Sequence, residues 1–235
     1  MKTTRCRVGL YLNDPSSNVL KLVRALRNWN LGFTTIWRDE LARLQPGDVD
    51  VLLLHGGWYG IDRVPGQNQR DRIQRPEHKA MAAAVRRFVR EGGGVVGVCC
   101  GAFNVVWLGL IEADISRSYG VGLHSLEVVD GRHPIVRGVI ERDRGRNDRR
   151  WLPLNVVRVS GPIFFPKHPR QMVLSYDWEH RLGAVLAADY GKGRAVAISP
   201  HPEMTEHEAD TELRNEPLMK ASGLLKNALY WSARR

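Results

Sequence analysis

Gly97-Val98-Cys99-Cys100-Gly101 decides the fold. The apolar pair Val95-Val96 precedes it and a helix-like segment, Ala102 to Leu110, follows it. That order reads as strand, sharp turn and helix, with a cysteine at the apex. A residue at such an elbow takes a strained backbone conformation, and small flanking glycines leave room for it. The turn lifts the side chain out of the sheet and aims the next helix's N-terminus at it. Amides and dipole there favour a thiolate and can donate to an oxyanion. Cys99 is the candidate nucleophile, and the Cys100 N–H is a candidate oxyanion donor.

About one hundred residues later, the strand-like Arg194 to Ser199 runs into Pro200-His201-Pro202-Glu203. His-x-Glu at a strand end supplies a base and a carboxylate to orient it, as a Cys-His-acid triad requires. The motif order and the strand contexts predict the Cys99 sulfur within about 4 Å of a His201 ring nitrogen. Upstream, the apolar run Val51 to Leu54 ends in His55-Gly56-Gly57, a turn able to present a second oxyanion N–H. Trp58, Tyr59 and Ser160-Gly161-Pro162 are candidates for the wall of a substrate pocket or for packing. His201, Glu203 and His207 lack a metal-binding pattern, and no metal is expected.

Over Val8 to about Trp231 the chain resembles the class I glutamine amidotransferase-like superfamily. Within it the chain is most similar to the branch named for the N-terminal domain of biotin-protein ligase. The anchors are His55-Gly56-Gly57, the segment from Glu91 to Phe103, and Ser199-Pro200-His201-Pro202-Glu203. The resemblance implies a flavodoxin-like three-layer α/β sandwich with a central, mostly parallel sheet. It also implies a triad of Cys99, His201 and Glu203, with oxyanion and substrate-binding positions at Gly56, Gly57, Trp58, Cys100 and Phe103. Glutaminases of this superfamily carry Gln where this chain has Phe103, so the resemblance implies an amide or acyl substrate other than free glutamine. Two readings stay open. One is a cysteine-nucleophile hydrolase or amidotransferase acting on a small-molecule or peptide amide, alone or with a partner enzyme subunit. The other is a binding or regulatory module that keeps the pocket without turnover.

The rest of the sequence sets the frame. The 235 residues fit one α/β domain, 1–235, that buries roughly 70–75% of its unfolded surface. Helical spacing marks Ser17–Trp29, Glu77–Arg90 and Pro217–Trp231. Strand patterns mark Arg7–Leu12, Thr34–Arg38, Asp50–Leu54, Leu123–Val129, Val156–Ser160, Met172–Tyr176, Ala184–Ala188 and Ala195–Ile198. Trp58 to Pro76 has no clear period and reads either as a lid over the cysteine or as a surface insertion. The mixed-charge run Glu141–Arg150 reads as solvated loop.

Net charge is +10, with 28 Arg against 7 Lys. The excess is spread along the chain without a nucleic-acid-binding motif, so polyanion association rests on charge alone. No apolar run approaches the roughly 18–20 residues of a membrane span. Three cysteines, two of them adjacent, predict a reducing, cytoplasmic setting rather than a disulfide framework. No Walker loop or GxGxxG follows a strand, and no cofactor is expected.

Overall fold

Strands with apolar residues at every position form the centre of a sheet covered on both faces. In a computed structural model, residues 6–12, 17–55, 76–117, 121–141, 151–204 and 217–233 are described. Five strands run parallel in the order β2 (Phe33–Trp37), β1 (Val8–Leu12), β3 (Val51–Leu54), β4 (Gly94–Val98) and β11 (Gly193–Ile198). An antiparallel half continues from β11 through β10 (Leu182–Tyr190), β9 (Met172–Asp177) and β6 (Val121–Val128) to β7 (Leu154–Val159). Two further short strands, β5 (Ala113–Arg117) and β8 (Pro162–Pro166), pair with each other, and β8 also touches β10.

Period-two alternation sorts the central strands into two cores. Val51, Leu53, Val96, Val98, Val196 and Ile198 join one core with α1 (Ser17–Asn28) and α5 (Pro217–Ala233). Leu52, Leu54, Val95, Ala195 and Ala197 join the other, with the segment around α2 (Arg38–Leu41), α3 (Pro76–Arg90) and α4 (Cys100–Trp107). The result is a flavodoxin-like three-layer α/β sandwich, but its sheet is mixed rather than mostly parallel, because short hairpin turns join β9, β10 and β11 whereas parallel neighbours need a crossover. The sequence-predicted helices and strands recur within a few residues of their expected ends. Two strands were not anticipated, β5 and β8.

Register sets the position of the site. Val98 pairs with Ile198, so β4 and β11 end level and the chain leaves both at one edge of the sheet. Leu54 of β3 lies opposite Gly97, and α4 packs on β3, β4 and β11. A Cβ at Gly97 would overlap the Gly101 carbonyl, and one at Gly101 would overlap the Leu54 carbonyl. Both glycines of the elbow are therefore required by close backbone approach.

Candidate active site

Cys99 stands between β4 and α4 with φ 52° and ψ −109°, a left-handed backbone that a non-glycine residue adopts at a cost of about 1–3 kcal/mol. Its N–H donates to the Ile198 carbonyl at 2.8 Å, and its own carbonyl accepts from the N–H of Ala102 at 3.0 Å. These bonds at both ends hold the strained conformation. Cys100 begins α4, and the first-turn amides of a helix have no acceptor within it. Gly56, Gly57, Trp58 and Tyr59 lie outside the described residues, as do His207, residues 142–150 and the 58–75 stretch. His55, just beyond β3, is buried.

Past the end of β11 the chain turns through Ser199 and Pro200 to His201, whose N–H donates to the Val157 carbonyl at 2.7 Å. That bond ties the turn to β7. His201 Nδ1 donates to Glu203 Oε1 at 2.7 Å, and both side chains are fully buried. A proton on Nδ1 leaves Nε2 as the basic nitrogen. His201 Nε2 and Glu203 Oε2 are buried with no hydrogen-bond partner among the described residues.

The thiol itself is engaged elsewhere. Cys99 Sγ donates to the Val159 carbonyl at 3.4 Å, not to His201. A hydrogen bond with Cys100, then burial, then the charges of Cys100 and Glu203 hold the Cys99 thiol well above its ordinary range, and only the Cys100 N–H opposes them. The elbow predicts a stabilised thiolate. In the folded chain, the Cys100 hydrogen bond, low polarity and neighbouring negative charge outweigh the helix terminus, and the resting group is the thiol.

Phe103, read in the sequence as standing where glutaminases carry Gln, is buried, and its ring stacks on Trp107 at 4.9 Å. Ser160 has φ 50°, and a Cβ on Gly161 would overlap the Ser199 carbonyl, so the β7–β8 turn lies directly against the start of the His201 loop. Three residues near this turn escaped the sequence reading, namely Arg158, Tyr176 and Ser199. Tyr176 Oη and Ser199 Oγ are hydrogen-bonded at 2.7 Å, and the Arg158 guanidinium lies 4.9 Å from the centre of the Tyr176 ring. Their signal was weak, because an arginine inside a strand looks like a solvent-facing residue in so arginine-rich a chain. His124 packs edge-on against Tyr176, and His133 packs against Trp231. Burial pushes both histidines below their ordinary values. Among the described residues no three His, Cys, Asp or Glu side chains gather as a metal site.

Solved structures similar to this chain include one of PurLQS from Thermotoga maritima, with a TM-score of 0.65 at 14% identity, covering 97% of this chain and 99% of that one. Another is a glutamine amidotransferase from Thermotoga maritima, with a TM-score of 0.63 at 16% identity, covering 98% of this chain and 99% of that one. The fold is that of class I glutamine amidotransferases. A ThuA-like protein from Bacteroides uniformis is also similar, with a TM-score of 0.54 at 15% identity, covering 99% of this chain and 93% of that one. No protein-family model and no curated protein matches the chain. The amidotransferase fold hosts proteins of differing description, so chemistry has to be argued from the side chains. No described helix is long and apolar enough to cross a membrane.

Proposed function

We propose that residues 1–235 form one amidotransferase-like domain in which Cys99 attacks an amide or related acyl carbon. The observation that carries the reading is the buried His201–Glu203 pair beyond β11, its Nε2 without a hydrogen-bond partner among the described residues, beside a strand whose end is bonded to the Cys99 amide. In the first step the thiol turns from the Val159 carbonyl and gives its proton to His201 Nε2 as sulfur bonds to the carbonyl carbon. The oxyanion is held by the Cys100 N–H and by an amide at Gly56 or Gly57. Collapse breaks the carbon–nitrogen bond, and the imidazolium returns its proton to the departing amine. Water, deprotonated by the same nitrogen, then attacks the thioester carbon, the carbon–sulfur bond breaks to release the carboxylic acid, and the imidazolium returns its proton to the Cys99 sulfur. Glu203 fixes the tautomer throughout. Because the resting thiol is protonated, this base-assisted route fits better than a preformed thiolate.

The segment from Glu91 to Phe103, with His55-Gly56-Gly57 and Ser199-Pro200-His201-Pro202-Glu203, supports a reading as similar to the biotin-protein ligase N-terminal domain-like branch. Its substrate is a small-molecule or peptide amide, and a partner enzyme subunit would accept released ammonia. Three free cysteines fit the cytoplasm. The test is a panel of amides incubated with the native chain and with Cys99→Ala, read by ammonia release and by intact mass for an acyl adduct at Cys99. An adduct in the native chain alone supports the reading. Absence of any Cys99-dependent adduct or release, with ligand binding retained, favours a binding module instead. That second reading draws on the well-raised thiol and on Phe103, whose ring is committed to Trp107.

A further inference from the structure

β7 crosses the site and touches both halves of it through its backbone. The Val157 carbonyl accepts the His201 N–H, and two residues on, the Val159 carbonyl accepts the Cys99 thiol. Side chains alternate along a strand, so Arg158 projects from the opposite face to Val157 and Val159. It is only 4% exposed. Its Nη2 donates to the Gly161 carbonyl at 2.8 Å while its planar group lies over the Tyr176 ring. Tyr176 Oη in turn meets Ser199 Oγ, two residues before His201. Between Arg158 and Gly161 stands Ser160, in a left-handed backbone that a serine does not hold unaided.

We propose that Arg158 is a positioning residue for the Cys99 site, fixing the Ser160-Gly161 turn so that β7 keeps its Val159 carbonyl on the Cys99 thiol and its Val157 carbonyl on His201. A carbonyl acceptor favours thiol over thiolate, so the strand adds to the Cys100 contact, the burial and the Glu203 charge that hold the sulfur protonated. The other titratable groups bearing on that sulfur are Cys100 from α4, Glu203 with its partner His201 beyond β11, and Tyr176 from β9. Lysine cannot replace arginine here. Only the fork can donate to Gly161 while its flat face covers an aromatic ring. The inference rests on the reading of Cys99 as a reacting group.

The experiment compares the full chain with Arg158→Met and Arg158→Lys. Iodoacetamide labelling of each cysteine is followed by peptide mapping from pH 6 to 10.5. Buried Cys6 serves as the internal control for folding. With Cys6 unlabelled, the Cys99 titration midpoint falls in Arg158→Met, and labelling at neutral pH rises about tenfold for each unit of that fall. Arg158→Lys shifts in the same direction by less. If Cys6 labels in Arg158→Met, the fold has opened and the lysine variant decides alone. An unchanged or raised midpoint in a folded variant overturns this inference and leaves the proposed function standing. No Cys99 labelling in any variant across this range also overturns this inference, while the proposed function, in which His201 activates the thiol only as substrate reacts, is decided by the adduct assay above.

Discussion

Replacing Glu203 separates the hydrogen bond from the charge at the centre of the site. The carboxylate accepts His201 Nδ1–H at 2.7 Å with both side chains shielded from water. Alanine leaves that N–H buried without its acceptor, and a hydrogen bond to a charged group is worth about 1.5–3 kcal/mol. For a chain of this size each kcal/mol is about 2–4 °C in Tm, so Glu203→Ala is expected to melt about 3–12 °C lower. Glutamine keeps an oxygen for Nδ1–H and removes a buried charge whose Oε2 has no hydrogen-bond partner among the described residues. Its expected loss is under about 1 kcal/mol, since desolvation is relieved as charge assistance is lost. Glu203 also raises the Cys99 thiol, so both substitutions should lower the pH midpoint of Cys99 alkylation. Scanning calorimetry and the labelling profile read the two effects independently. Equal destabilisation by glutamine and alanine would refute the hydrogen-bond argument, and a midpoint unmoved in both would refute the electrostatic one.

The elbow glycines offer a sharper packing test. Gly101→Ala should cost about 1–3 kcal/mol because its Cβ would overlap the Leu54 carbonyl, whereas Gly32→Ala, with open space around it, should be close to neutral. Equal denaturation midpoints for the two variants would count against the close approach of α4 to β3. Alkaline pH should weaken the fold in a defined window. Burial, aided by Asp50, pushes the Cys6 thiol from 9.0 to about 12, and burial pushes the Tyr176 phenol from 10.0 to about 12. Groups raised in the folded state contribute stability that is fully present below their unfolded values and lost as pH climbs to the folded ones. The urea midpoint is therefore expected to fall between pH 9 and 12, less so in Cys6→Ala, and a flat profile would contradict this. With Phe103 stacked on Trp107, free glutamine should release little ammonia from the isolated chain. Robust Cys99-dependent release would restore a glutaminase reading.

What the residues announced in advance, and what they did not, follows from which interactions leave a mark on side-chain type. The parallel half was legible because strands buried on both faces need unbroken apolar runs, as in Val51–Leu54, and helices on either side need a regular stripe. The elbow was legible because Gly97 and Gly101 are dictated by contact with carbonyls that no side chain would tolerate. β8 was not, since Pro162 and Pro166 bracket a five-residue strand and read as turn. Nor was the role of β7, because it acts through the carbonyls of Val157 and Val159, and any residue could supply those atoms.

The protonation of Cys99 shows a different kind of limit. A helix terminus is local and visible in sequence, and so is the Cys100 side chain that opposes it most, while the burial and the Glu203 charge that add to that opposition depend on strands folding back over the site. The helix amide pulls the thiol one way, while the neighbouring Cys100 side chain, burial and the Glu203 charge push it the other, and the latter prevail. That balance is why the base, rather than the helix, carries the burden of activation in the proposed reaction. It also makes the Cys99 titration midpoint the single quantity on which the Glu203 and Arg158 arguments both converge. The first acts through charge and the second through the position of a carbonyl. If both arguments hold, the combined variant Glu203→Gln with Arg158→Met should lower that midpoint further than either change alone, and any departure from the sum of the single shifts measures the coupling of the two groups through His201.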